Sequence, residues 1–213
     1  KADILPETLV ERLMDIIQAG HSDLSSYLKF CENTYANPSR NSREQMYRFI
    51  SHKEMPITED GCVMGFKGVS ADYLDKFSGT FSNKVGTTHE MERRDVDDDC
   101  NNHCSYGFHI GSRSYADGWA GSDGRLMLVK WDPADAVSVP SDCEYEKLRV
   151  CKYTVVSEVV RERRRDDEVL GALIYSADGK SAIEVGDSPE DLVQRHSDQW
   201  YKARNYIESC RDD

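Results

Sequence analysis

The chain has 213 residues, 38% of them apolar and 31% charged, and a formal net charge of -12 at pH 7. So acidic a molecule repels a phosphate backbone, which argues against broad nucleic-acid binding, and no apolar run approaches the roughly 20 residues a membrane span needs. Seven cysteines, at 31, 62, 100, 104, 143, 151 and 210, follow no disulfide framework and suit free thiols in a reducing cytosol.

The chain opens at Lys1 rather than Met, as expected of a fragment, and shows no basic-then-apolar leader. Residues 1–55 read as a helical module. Leu9, Leu13, Ile16 and Ile17 repeat at helical spacing after Pro6, and Gly20 ends the run. Ser22 is a candidate cap for a second helix with the face Leu24, Tyr27, Leu28, Cys31 and Tyr35, stopped before Asn37-Pro38. Ser42 with Gln45 three residues later has the capping-box form and opens a third helix carrying Met46, Phe49 and Ile50.

From Ile57 the texture changes to short extended segments. The Asp60-Gly61 turn precedes a strand at Cys62–Lys67. Further strands are expected at Thr87–Met91, Phe108–Ile110, Leu126–Trp131, Val137–Val139 and Val150–Val156, with one helix at Ser112–Trp119. Residues 56–160 are therefore expected to form an α+β core domain with a mostly antiparallel sheet. Residues 161–213 read as an extension. It holds a charged linker at Arg161–Glu168, a hairpin from Val169–Tyr175 and Ser181–Val185, and a C-terminal helix from Ser188-Pro189, with His196 a packing residue.

The densest chemistry lies in Cys100-Asn101-Asn102-His103-Cys104-Ser105-Tyr106-Gly107-Phe108-His109, after the acids Asp95, Asp97, Asp98 and Asp99. Cys100, His103, Cys104 and His109 are ligand types that zinc accepts, the one cofactor the composition suggests. A Cys104 nucleophile paired with His109 or His103 is a second reading, opposed by the acids, which raise a thiol pKa. The plainest reading packs Cys104 and His109 into the fold and solvates Asp97–Asp99 as a loop. Ser-Tyr-Gly is expected to turn tightly into an extended segment. The Gly65, Gly68 and Gly79 spacings match no phosphate-cradling loop.

Ordered blocks of this chain resemble the rIIB family of tailed bacteriophages. They include Ile57-Thr58-Glu59-Asp60-Gly61, Phe66-Lys67-Gly68-Val69, Ser78–Gly86, Met91-Glu92-Arg93, Val96-Asp97-Asp98, Cys104–His109, Asp132–Asp142 and Cys151–Val156. The resemblance runs over roughly residues 5–160. It implies a non-enzymatic phage early protein that binds phage or host proteins, controls lysis timing and counters host or prophage defence. The implied partners are an rIIA-like phage protein or a host defence protein. The implied location is the host cytoplasm, peripheral to the inner membrane through a partner, with self-association left open. Where the family pattern places a Cys after the His, this chain has Gly111, which argues against a shared metal site. The family's helix-turn-helix region has no counterpart here, so DNA binding is not carried over.

A second likeness, to the ADP-ribosyltransferase fold, runs through Gly107-Phe108-His109-Ile110, Ser112, Ala116, Trp119-Ala120 and Leu126–Val129. It implies a pocket for NAD or another nucleotide-derived ligand near Lys67, Ser78, Tyr106 and His109. Glu158 and Glu184 are the glutamates available for catalysis there.

Overall fold

The computed structural model describes residues 24–53 and 55–159, with helical backbone at 10, 14, 17 and 18 and two short strands farther on. Helix α1 is Ser25–Ala36 and α2 is Arg40–Lys53. The buried face of α1 is Tyr27, Phe30 and Thr34, whereas Leu28, expected in the core, is 60% exposed. The reason lies in the Asp60-Gly61 turn, which sits directly on the helix. A Cβ on Gly61 would stand 2.4 Å from the carbonyl carbon of Lys29, and the φ of +75° suits glycine. The Asn33 side chain donates to the Asp60 carbonyl at 3.0 Å and fixes that contact.

The start of α2 also departs from expectation. Ser39, not Ser42, supplies the cap: its Oγ accepts from the Ser42 N–H at 3.1 Å. Ser42 Oγ instead donates to the Val137 carbonyl at 2.6 Å, and Gln45 Oε1 accepts from the Val139 N–H at 2.9 Å. A capping box would close these groups on their own helix; here they fasten the helix to a strand edge. Met46, Phe49 and Ile50 are buried, as expected.

Seven strands form one sheet: β1 Val63–Val69, β2 Thr88–Glu90, β3 Phe108–Gly111, β4 Arg125–Trp131, β5 Ala136–Ser138, β6 Lys147–Val150 and β7 Lys152–Val159. Their order is β2-β7-β4-β1-β3-β6-β5, and all six pairings are antiparallel. The described residues thus adopt an α+β arrangement with an antiparallel sheet. Helix α3, Arg113–Ala120, is capped by Ser112, whose Oγ accepts from Tyr115 N at 3.2 Å.

Both faces of the central strands are covered, which is why β1 and β4 read as continuous apolar runs rather than alternating ones. Phe30, Met46, Phe49 and Ile50 of α1 and α2 share a core with Val63, Val129, Trp131 and Val150. Each such fully buried side chain contributes roughly 1.5–3 kcal/mol. Ala116 of α3 packs the opposite face against Met64, Phe66, Leu126 and Leu128. The helix can come that close because residue 68 is glycine: a Cβ there would lie 2.3 Å from the Ala116 carbonyl oxygen.

The span Val150–Val156, expected as one strand, is two. Cys151 alone links β6 to β7, which stand four places apart in the sheet order. In a flat sheet that separation would be about 19 Å, so the sheet must curl until the two strands meet end to end. Cys151 N donates to the Asp135 carbonyl, and its own carbonyl accepts from Met91 N, so the corner is bonded on both sides.

Farther on, β8 Ile174–Tyr175 pairs antiparallel with β9 Ala182–Ile183, within the expected hairpin. The charged linker, the helix from Ser188, and the first helix apart from its four positions lie outside the described residues.

Candidate functional site

The curl leaves a seam. β1 pairs with β4 along its whole length but with β3 only at Phe66–Gly111. Beyond that point the two strands part, and the Lys67 side chain spans the gap, its Nζ donating to the His109 carbonyl at 3.0 Å. A cleft of about 170 Å³ opens there, and Lys67, Ser78, Tyr106 and His109 all line it. The four ligand residues expected from sequence therefore converge, although they are spread over 43 positions of the chain.

Lys67 forms the floor. Its Nζ lies 5.2 Å from the centre of the Tyr153 ring, a cation–π contact. Burial lowers its pKa to about 8, and the Asp75 carboxylate opposes that shift. Burial also holds His109 down to about 3, helped by the positive charges of Lys67, Arg149 and Lys147. His109 is thus a neutral imidazole at physiological pH. Tyr153 donates its hydroxyl to Asn83 Oδ1 at 2.5 Å, and its phenol pKa is raised by burial. Phe81, His89, Phe108 and Tyr153 form a ring cluster beside the floor, with centroids 5.2–5.8 Å apart.

Two loops frame the opening. In the first, the Asp75 carboxylate accepts from Ser78 N at 2.6 Å, Thr80 N at 3.0 Å and Phe81 N at 2.8 Å, and from Ser78 Oγ at 2.8 Å. Burial pushes the Asp75 carboxyl up, but these donors outweigh it and hold the pKa below the ordinary value. Ser78 is therefore a loop-closing residue as well as a lining one. Lys76 Nζ, next along, donates to the Trp119 and Ala120 carbonyls at 2.9 and 3.0 Å, tying the loop to the end of α3.

The second loop, residues 97–106, hangs on Arg149. Its guanidinium donates to the carbonyls of Asp97 at 3.2 Å and Asp99 at 3.0 Å, to the Asn102 carbonyl, and to Ser138 Oγ at 2.9 Å. Asp97 Oδ1 accepts from Asp99 N, and hydrogen bonds from Ser105, Asp99 and Asn102 lower the Asp97 pKa to about 2. The expected turn is present: Gly107 has φ of +139° and leads straight into β3. A Cβ at Gly107 would stand 2.7 Å from Val96 Cγ1.

The zinc candidates are placed differently. His109 Nε2 faces Arg149 Nε at 3.3 Å, His103 Nε2 lies 3.5 Å from Ser141 Oγ, Cys100 is half-buried and Cys104 is exposed. Among the described residues, no group of three or more His, Cys, Asp or Glu side chains is placed to hold a metal ion. Burial pushes the Cys31 and Cys151 thiols up to about 11 and Cys62 to about 12, the reverse of nucleophile activation. Glu158 is held away from the cleft, accepting from Arg125 at 2.8 Å and from the Tyr73 hydroxyl at 2.8 Å. Glu184 lies outside the described residues.

Sequence reasoning missed Lys147, Arg149 and Tyr153. A signal for the first two existed in Lys147-Leu148-Arg149-Val150, where cations and aliphatics alternate with the period of a strand. Lys147 is buried and pairs with Asp142 at 2.6 Å. The long-range partners of Arg149 left no local trace.

A family model described as Bacteriophage T4 protein rIIB matches residues 5–171. The Protein rIIB of Enterobacteria phage T4 is 36% identical over 154 residues, which covers 72% of this chain and 49% of that protein. The chain thus spans about half the length of this relative. No solved structure matches the chain, and the likeness to ADP-ribosyltransferases gains no support from one.

Proposed function

The chain belongs to the bacteriophage T4 rIIB family, and from that premise we propose that it is a phage accessory protein that works by binding other proteins. In this reading it engages an rIIA-like phage protein or a host defence protein early in infection. The engagement influences lysis timing and counters host or prophage defence. The observation that carries the reading is the family match over residues 5–171. No described helix is long and apolar enough to cross a membrane; in this reading a place at the inner membrane comes through a partner.

The fold fits a scaffold of this kind. Half-buried Arg93 ties its own 3₁₀ turn, Arg93–Asp95, to α1, α2 and β5 at once, donating to Asn37 Oδ1, Ser42 Oγ, and the carbonyls of Ala134 and Ala136. Asn37, fully buried, donates in turn to the Pro133 and Ala136 carbonyls at 2.8 and 2.7 Å. Such a satisfied polar network fixes one arrangement of helices on sheet, and hence one outer surface.

The test is affinity capture of the tagged full chain from phage-infected cells, with uninfected cells as control. The expected result is specific co-purification of a phage protein or a host defence protein. Recovery of nothing above background from infected cells would remove the proposal.

A further inference from the structure

We propose that the seam cleft binds a small anionic molecule built on a planar ring, of nucleoside monophosphate class, with its anionic group at Lys67 and its ring among Phe77, Tyr106 and Trp119. The first support is charge. The ionised side chains lining the cleft are Lys67, Lys76 and Lys147 against the single carboxylate of Asp75. That carboxylate is already saturated by the Ser78, Thr80 and Phe81 N–H groups. Lys76 caps the carbonyls of α3, and Lys147 is paired with Asp142.

Lys67 differs from both. Among the described residues, no carboxylate lies within ion-pair distance of it. Its ammonium has three donor hydrogens and spends one on the His109 carbonyl. A cation on the floor of a cleft with spare donors is a fitting anchor for an anion. The molecule as a whole is acidic, but fields from distant surface acids are screened beyond about 8 Å at physiological salt, so the local balance governs.

The second support is the rim. Phe77 is 82% exposed, Tyr106 61% and Trp119 49%, and all three line this one cleft. Large rings held in water around a concave site are the usual platform for stacking a planar ligand. The third is size. At about 170 Å³ the enclosed space is close to the ~150 Å³ cavity known to take benzene, so it houses one ring-sized or phosphate-sized group. The remainder of the ligand must lie along the open mouth, where the three rings stand.

Titration calorimetry on the full chain decides the matter, using the four ribonucleoside 5′-monophosphates, the matching nucleosides and inorganic phosphate. The expected result is saturable binding of a nucleotide, tighter than either its nucleoside or phosphate alone. Lys67→Met is expected to weaken it about tenfold. Trp119→Ala, at a rim ring that is 49% exposed, is expected to weaken it roughly 5- to 150-fold. A melting curve of each variant separates lost binding from lost folding, and should Lys67→Met fail to fold, Trp119→Ala carries the test. No heat with any nucleotide, equal affinity for nucleotide and nucleoside, or undiminished binding by Trp119→Ala would each overturn the proposal. None of these outcomes depends on the protein-capture experiment, so the two readings fail separately.

Discussion

Arg149 Nε donates to His109 Nε2 across 3.3 Å, from strand β6 to its neighbour β3. A ring nitrogen that accepts this bond cannot itself carry a proton, so His109 is the Nδ1–H tautomer and uncharged. The guanidinium therefore does two things at once. It holds the loop 97–106 by its carbonyls and fixes the protonation state of a residue lining the cleft. The loop and the strand floor are set by one side chain.

The neutrality of His109 gives the protein a pH signature. Its pKa falls from the ordinary 6.5 to about 3 in the fold, with Lys67, Arg149, Lys147 and Asp142 the charges that act on it. As pH drops below about 6.5 the unfolded chain takes up this proton and the folded one does not. The associated stability is complete above that pH and is lost progressively toward pH 3, at up to about 1.4 kcal/mol per unit. His109→Gln keeps an acceptor for Arg149 without a titrating group. The difference in urea stability between parent and variant is expected to narrow from pH 6.5 to 5, since carboxylates common to both cancel. Parallel profiles would show that His109 charges freely.

Arg149 is expected to be the most sensitive position of the second loop. Arg149→Met leaves the Asp97, Asp99 and Asn102 carbonyls without their donor and should cost about 3 kcal/mol. Arg149→Lys should rescue little, because an ammonium cannot address five acceptors as the fixed fork of a guanidinium does. Urea unfolding reads the stability. Amide exchange across residues 97–106 should quicken in both variants, and unchanged exchange there would detach Arg149 from the loop.

Much of this arrangement was legible beforehand, and the remainder was hidden for identifiable reasons. Strands β1 and β4 and helix α3 are local: apolar runs bounded by Asp60-Gly61, by the Ser112 cap and by Gly124. The likeness to a known fold puts Lys67, Ser78, Tyr106 and His109 near one another, and all four line one cleft. The corner at Cys151 was not legible, because Val150 and Lys152 are both good strand formers and only the Asp135 and Met91 backbone bonds reveal the bend. Of the face expected for α1, Tyr27 is buried and Cys31 packs on the core, while Leu28 and Tyr35 are exposed because Gly61, 31 residues after Phe30, sits against the helix and selects its buried side. Side chains expected to cap α2 locally turned out to serve β5, a choice made across more than ninety positions.

The dense Cys–His run makes a further expectation concrete. His109 is engaged by Arg149, and the remaining candidates do not gather around one point. Protein purified without chelator should carry zinc well below one per chain by elemental analysis. Cys104→Ser, at an exposed thiol, should melt like the parent. Stoichiometric zinc, with a melting temperature that falls on adding chelator, would restore Cys100, His103 and Cys104 as ligands.

Two glycines, Gly68 on the wall of the cleft and Gly118 within α3, separate packing from propensity. A Cβ at Gly68 would lie 2.3 Å from the Ala116 carbonyl oxygen and 2.6 Å from Ala120 N, both backbone atoms that no rotamer change can move. Gly68→Ala should therefore push α3 off β1 and cost about 1–3 kcal/mol. Gly118, inside the same helix, has nothing within 4 Å of its missing Cβ. Gly118→Ala should raise stability by about 0.5–1 kcal/mol, through the lower conformational freedom of the unfolded chain. Thermal melts of the pair test the sign of each effect. Ala116 and Trp119 of α3 both line the cleft, so the Gly68 variant should also bind any cleft ligand more weakly while Gly118→Ala binds it normally. Equal behaviour of the two variants would mean that the approach of α3 to β1 is looser than these distances require.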